Sequence, residues 1–320
     1  MVPLGHRLAI AEIGVFGTTG RKVRLRRFAT EEACRWYLFS LRWPEGFVCP
    51  QCSGREAWMM ERGLWLCRSC RKQVSVTAGT IFQDSRVPLM LWFRAIWYLT
   101  TQKNGVSALG LQRVPGLGSY KTAWALLHKL RRAMVRPGRE RLSGLVEVDE
   151  AFWGGEESGV RGRRAPEKIL LLVAAEADGE GIGRVRVSTA PDASRKSLHG
   201  FIREAVEPGS TVRTDGYNHY LGLEGYAHDR QMQNRQPEGE HVLPRVHRVI
   251  SLLKRWLMGT HQGAISHEQL NHYLDEFTFR FNRRKSAWRG KLFYRLIQQA
   301  AHVQPAPFRS LVKPQSLGDG

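Results

Sequence analysis

Apolar positions recur at helical spacing over about residues 30–41 and 88–135 and again near the end, and in strand-length blocks between about 145 and 214. The first predicted element is a short helix, Thr30–Leu41, containing Cys34. Arg42-Trp43-Pro44-Glu45-Gly46 ends it, because proline disfavours helix in the residue before it. A cysteine-bearing module follows, about residues 47–80. There Ala57–Glu61 and Leu64–Leu66 alternate as short strands, with Arg62-Gly63 at the turn. Helical periodicity returns from Pro88 to Val135, broken at Val114-Pro115-Gly116-Leu117-Gly118, and Pro137-Gly138 with the basic run to Arg141 reads as a linker. Strands are predicted at Leu145–Trp153, Ile169–Ala177, Arg184–Thr189 and Thr211–Thr214, with a helix at Ser194–Val206 before the last. Further helices are expected at His247–Met258 and His267–Asn282, then a C-terminal helix and a disordered tail of about fifteen residues.

Three consecutive strands are separated by turn signals, Gly154-Gly155 with the basic loop Arg161–Lys168, then Asp178-Gly179-Glu180-Gly181. An antiparallel meander feeding a helix and another strand is the topology of the RNase H-like fold, an α/β class with a mixed sheet flanked by helices. The expected divisions are an extension (1–27), a short helix plus cysteine module (28–80), a helical region (81–140), the RNase H-like domain (141–286) and a C-terminal piece (287–320).

Composition narrows the function. The 320 residues carry 49 Lys and Arg against 29 Asp and Glu, a net charge of +20, with 42% hydrophobic residues. That apolar content excludes a wholly disordered basic tail, which could not bury a core. The longest apolar run, Val87–Leu99, is broken by Arg94 and falls short of the roughly 20 residues a membrane span needs. The stretch Leu8–Phe16 is interrupted by Glu12 and reads as a loose extension rather than a secretory core. So positive a folded chain points to nucleic acid as partner, and with no convincing targeting segment an intracellular, reducing location is expected.

Five cysteines are too few for a disulfide scaffold. Cys49-Pro-Gln-Cys52 and Cys67-Arg-Ser-Cys70 are two C-x-x-C knuckles with fourteen residues between them. A tight turn brings each pair of sulfurs together, and Zn²⁺ takes four thiolates in a tetrahedron at about 2.3 Å. The module is therefore a zinc ribbon, and a four-cysteine site with no open position makes the zinc structural. Arg55, Arg62, Arg68, Arg71 and Lys72 decorate it, as a DNA-contacting face or a solvated one. Cys34 reads as a core residue.

In the helical region, Trp92, Phe93, Ile96, Trp97 and Tyr98 read as bundle core. Ser107–Leu111, a glycine-containing turn and Ser119–Met134 form either a helix-turn-helix or a plain helical hairpin. The second helix carries Lys121, His128, Lys129, Arg131 and Arg132.

The candidate chemistry lies further on. Glu147-Val148-Asp149-Glu150 sits inside an apolar strand, with Glu147 and Asp149 on one face and Val146, Val148 and Glu150 on the other. Charges there are costly unless paired or metal-bound. Asp215 ends the strand Thr211–Thr214, before Gly216. In an RNase H-like sheet these strands are neighbours, so Asp149 and Asp215 can share a divalent cation. Two candidates exist for a third ligand: His247, with Lys254 two helical turns on, and Glu276, with Arg283 at the same spacing. Residue chemistry favours Glu276, since carboxylates suit Mg²⁺, although Glu276 can instead pair with Arg280 four residues on.

These motifs together resemble the bacterial insertion-sequence transposases of the ISXO-like group, which join an N-terminal zinc ribbon to a DDE-type, RNase H-like catalytic domain. The resemblance runs from about Phe28 to Arg284. It rests on Cys49–Cys70, on Val146-Glu-Val-Asp-Glu-Ala-Phe-Trp-Gly-Gly155, on Thr214-Asp-Gly-Tyr217, on His247 with Lys254, on Gly259-Thr-His261 and on the run Tyr273–Arg284. It implies that Asp149 and Asp215 are the first two acids. The third position, glutamate in many DDE enzymes, varies to Asn or His followed by Lys, and so falls on His247 and Lys254 rather than Glu276. The implied activity is cleavage and strand transfer at terminal inverted repeats with two Mg²⁺ or Mn²⁺ ions. The implied state is a dimer or larger assembly on double-stranded DNA in the bacterial cytoplasm. The alternative is a decayed copy that only binds DNA through its zinc ribbon.

Overall fold

The computed structural model describes residues 27–113, 116–135, 138–154, 168–232, 242–263, 265–286 and 289–312. The expected N-terminal extension, most of the loop 155–168 and the end of the tail lie outside them. The chain divides into two compact units, residues 1–78 with 85–95, and residues 79–84 with 96–320.

The first unit is built around helix α1 (Glu31–Arg42). Thr30 caps it, its hydroxyl accepting the Ala33 N–H, and two glutamates occupy the first turn, where the helix dipole favours negative charge. The ribbon is a three-stranded antiparallel sheet of β1 (Ala57–Met59), β2 (Trp65–Cys67) and β3 (Gln73–Val74). α1 packs on it through aromatic rings: Phe39 stacks on Trp65 at 4.2 Å and Trp36 meets Trp65 edge-on at 5.2 Å. The Glu31 carboxylate accepts the N–H groups of Leu89 and Met90, where α2 (Leu89–Thr101) begins. The two-residue β3 is too short to show in the sequence pattern.

The second unit holds a five-stranded sheet in the order β6-β5-β4-β7-β8. Its strands are β4 (Leu145–Trp153), β5 (Ile169–Asp178), β6 (Gly181–Ala190), β7 (Thr211–Thr214) and β8 (Ala227–Arg230). The first three form the expected antiparallel meander, and β7 and β8 add in parallel on the other side of β4. This is the RNase H-like order. β8, Ala-His-Asp-Arg, was not foreseen because a polar four-residue edge strand carries no apolar block.

Helix α5 (Arg195–Ala205), capped by Ser194, covers one face of the sheet. Its Leu198, Phe201 and Ile202 pack with Val146, Val148 and Leu172. On the other face, α6 (Pro244–His261) and α7 (Leu270–Phe281) bury Val249, Leu253, Leu274 and Phe277 against Leu171, Val173, Val185 and Val187. α7 also guards the edge strand β6. The Asn271 and Asn282 side-chain oxygens accept the N–H groups of Thr189 and Val185, so neither offers itself to a foreign strand.

The short helix α3 (Ala108–Gln112) and α4 (Tyr120–Arg132) are capped by Ser107 and Ser119, whose hydroxyls accept the N–H groups of Gly110 and Thr122. α4 buries Leu126, Leu127, Leu130 and Arg131. The C-terminal helix α8 (Arg289–Ala300) is followed by α9 (Phe308–Val312), whose Leu311 is buried. Phe308–Val312, expected within a disordered tail, is thus helical, and five residues are too few to display a helical period; residues 313–320 lie outside the described residues.

Candidate metal centres and active site

The four ribbon sulfurs converge. All lie within 4.8 Å of one another, with Cys49 and Cys70 at 3.6 Å and Cys52 and Cys67 at 3.6 Å. Each knuckle is followed by a residue in the left-handed region, Ser53 at φ 59° and Arg71 at φ 60°. These turns aim backbone N–H groups at sulfur. Burial pushes the Cys49 thiol up, but the N–H groups of Cys52 and Gln51 outweigh it and draw the thiol down to about 6. The Cys70 N–H lowers Cys67 in the same way. For Cys52 the Gly54 N–H also favours thiolate, but the crowded sulfurs of Cys70, Cys67 and Cys49 and burial push the thiol up to about 12. Four sulfurs at this separation fit one zinc ion.

In the second unit the acids of β4 go three ways. Asp149 Oδ2 lies 3.1 Å from His247 Nε2. Glu147 is fully buried and bonds the start of α6, including a 3.0 Å contact with the Arg245 guanidinium. Glu150, on the opposite face, accepts the Tyr220 hydroxyl at 2.7 Å. β4 pairs in parallel with β7 from Leu145–Thr211 to Glu147–Arg213, and Asp215 follows directly after the end of β7. Asp215 Oδ1 accepts the Tyr217 N–H, a turn that fixes the carboxylate as the chain leaves β7.

His247 lies in the first turn of α6. Its hydrogen bond to Asp149 raises its pKa above the ordinary imidazole value; burial opposes, and the charges of Asp149, Glu147 and Asp215 add to the rise. Two carboxylates and an imidazole thus share one electrostatic neighbourhood, with the Asp149 and His247 ligand atoms already facing. The side chains of Asp149 and His247 are 14% and 40% exposed, so solvent reaches the site. Oxygen and imidazole donors suit a divalent ion of the Mn²⁺ or Mg²⁺ kind. Lys254 is exposed seven residues along α6, on the His247 face.

Comparison with known proteins supplies the family. Residues 141–282 match the ISXO2-like transposase domain, and residues 29–73 match the transposase zinc-ribbon domain. The chain thus combines an ISXO2-like transposase domain with a transposase zinc ribbon. It is also 27% identical over 286 residues to an uncharacterized protein in transposable element ISH50 of Halobacterium salinarum, covering 80% of this chain and 92% of that protein. None of the transposase's helices among the described residues is long and apolar enough to cross a membrane.

The basic residues singled out from sequence separate into two groups. On the transposase's ribbon, Arg68, Arg71 and Lys72 are exposed. Arg68 pairs with Glu56 at 2.6 Å, and the Arg71 guanidinium lies 5.3 Å from the ring centre of exposed Trp58. On α4, Lys121 is exposed beside Phe308, whereas Lys129 is half-buried, its pKa lowered by burial. Arg132 donates to the Ser310 carbonyl.

Arg131 does not face outward as its place on a recognition helix would require. It is 1% exposed, bonded to Glu276 at 2.8 Å and laid over the Tyr273 ring at 3.8 Å. His128 is buried beside it, 3.2 Å from an Arg131 nitrogen. The apolar period of α4 turns this face inward, and a basic count alone does not register that.

Glu276, the rival third ligand, is fully buried with Arg131 on one oxygen and Arg280 on the other, both at 2.8 Å. Burial would raise its pKa, but the two guanidinium groups hold it down at about 2. Both oxygens are engaged in an ion triad rather than turned to solvent. The sequence did not reveal the roles of Glu147 and Glu150; acids crowded into one apolar strand were the available signal.

Proposed function

We propose that this transposase binds the terminal inverted repeats of an insertion sequence and catalyses metal-dependent DNA strand cleavage and strand transfer. The observation that carries this reading is the approach of His247 Nε2 to Asp149 Oδ2, with Asp215 just past the end of the adjacent strand and its charge acting on His247. Asp149, Asp215 and His247 would hold two divalent ions, Mg²⁺ or Mn²⁺. Ions bound there supply an activated water or DNA 3′-hydroxyl and stabilise the departing oxygen.

To act as a ligand, His247 gives up from Nε2 the proton that Asp149 stabilises, since only neutral imidazole has a free lone pair. Asp149 Oδ2, no longer holding that proton, would be available to the same ion. Lys254, exposed on the same helix face, would neutralise a phosphate beside the cleaved bond. On the ribbon Arg68, Arg71 and Lys72 would contact element DNA; on α4 Lys121 would do so, with half-buried Lys129 and Arg132 on the same helix. Arg131 is left out, and Glu276 is assigned a structural role. The ribbon zinc is structural. Two DNA ends must be handled, so the working form is a dimer or larger assembly on DNA in the cytoplasm.

The intact set Asp149, Asp215, His247 and Lys254 supports an enzyme over a decayed copy that only binds DNA. Incubation of the protein with its flanking element ends, Mg²⁺ or Mn²⁺ and a target plasmid tests the choice. Cleaved ends joined to the plasmid support the transposase; end binding without metal-dependent cleavage supports the decayed copy. Cleavage without joining would indicate a structure-specific nuclease.

A further inference from the structure

Glu147 precedes Asp149 by two residues and shares its face of β4, a place where a carboxylate could be a ligand in its own right. Its surroundings point elsewhere. Oε2 accepts the backbone N–H groups of Arg245 at 2.7 Å and Val246 at 3.0 Å, and Oε1 accepts the Arg245 guanidinium at 3.0 Å. The side chain is fully buried.

These two N–H groups belong to the first turn of α6, and the helix has no local cap. Leu243 at the cap position makes no side-chain hydrogen bond, and Pro244 follows it. The exposed first N–H groups of a helix need acceptors and favour an anion. Here the anion comes from the sheet. A local Ser or Asp would satisfy the same donors without fixing where the helix stands; a carboxylate on β4 does both. The Arg245 guanidinium extends the grip to the Gly179 and Gly181 carbonyls at the β5–β6 turn.

His247 is the residue after Val246, and it meets Asp149 two residues further along the strand that carries Glu147. The strand thus grips the helix start with one acid and faces its imidazole with the next. We infer that Glu147 is a positioning residue that sets His247 against Asp149, and that it is not a metal ligand. The inference rests on reading Asp149, Asp215 and His247 as the metal-binding set.

The test compares Glu147→Gln, Glu147→Ala and Asp149→Asn in the full chain. Each is measured for end cleavage across a Mn²⁺ titration, for end binding and for thermal melting. Glutamine keeps a carbonyl oxygen for the two backbone N–H groups; alanine keeps nothing. The expected result is a raised Mn²⁺ half-saturation with end binding unchanged. The loss should be about 10- to 100-fold for alanine, the range seen for groups that orient metal ligands, and partly rescued in glutamine. If alanine fails to fold, the isosteric glutamine variant still reads the shift in half-saturation.

Lowered melting with an unchanged Mn²⁺ half-saturation would make Glu147 merely structural and overturn the inference. So would a Glu147→Gln enzyme as dead as Asp149→Asn, which would make Glu147 a ligand. Wild-type cleavage by Asp149→Asn would instead sink the site assignment itself, and that outcome is separate from either.

Discussion

The Tyr220 hydroxyl donates to Oε2 of Glu150 at 2.7 Å, which ties the short 3-10 turn after Asp215 to the strand that carries Asp149. Tyr220 is fully buried, and burial followed by the Glu150 charge pushes its pKa well above the usual phenol value, so it stays a donor. Tyr220→Phe removes this bond alone. A hydrogen bond to a charged acceptor contributes about 1.5–3 kcal/mol, so melting should fall accordingly. Cleavage should fall with it as the Asp215 turn loosens, while end binding holds. Unchanged melting and cleavage together would show that the tie does not position Asp215.

The ribbon should bind one zinc ion. Cys67→Ser removes a buried thiol from the tetrad and should release the metal and weaken end binding, leaving the second unit folded. Metal analysis and circular dichroism of the variant check this. Freshly purified wild-type protein without zinc would contradict it.

Imidazole is a softer donor than carboxylate and sits better with Mn²⁺ than with Mg²⁺. Cleavage should therefore be faster in Mn²⁺. His247→Glu should retain activity with its preference moved toward Mg²⁺, and His247→Ala should lose most activity in both metals. Glu276→Gln supplies the contrast. If Glu276 were the ligand, that variant would be dead and His247→Ala would survive.

What the sequence made legible follows from which signals are local. The C-x-x-C knuckles and the apolar blocks of β4 and β5 act over a few residues, and both were visible. Asp149 and Asp215 stood out because acids at the middle and end of apolar strands need a reason. The partners of Glu147, Glu150 and Arg131 lie 98, 70 and 145 residues away, and no spacing rule reaches that far. Arg131 shows the cost most plainly: read locally it is one more cation on a basic helix, and only the packing of α4 against α7 reveals its carboxylate.

That pairing makes a stability prediction. Removing one partner of a buried ion pair leaves an uncompensated charge and costs roughly 3–5 kcal/mol. Arg131→Met should approach the lower end, because Arg280 stays on Glu276. The triple variant Arg131→Met, Glu276→Leu and Arg280→Met should recover much of the loss, because no member of the triad is then left unpaired. Chemical denaturation of the three proteins measures it, and a silent Arg131→Met would contradict the packing described.

Asp275, next to Glu276 on α7, has no comparable partner to offset its burial, which drives its pKa up to about 7 against a modest opposing pull from Arg139. The sign follows from proton counting. Below the unfolded value of 3.8 both states hold the proton and nothing is lost. Between 3.8 and about 7 the unfolded chain releases it while the folded one keeps it, so stability falls as pH rises. Above that the penalty is complete, on the order of 4 kcal/mol at most at about 1.4 kcal/mol per pH unit. Asp275→Asn should therefore raise the melting temperature at pH 8, with the gain shrinking toward pH 4. The neutral buried histidines work the other way. Burial holds His128 near about 2 and His261 and His272 near about 4, so they weaken the fold as pH drops below 6.5. They are common to both proteins, and the difference between wild type and Asp275→Asn at each pH isolates the carboxyl. A variant gain that is flat from pH 4 to 8, or a loss at pH 8, would contradict the burial assigned to Asp275.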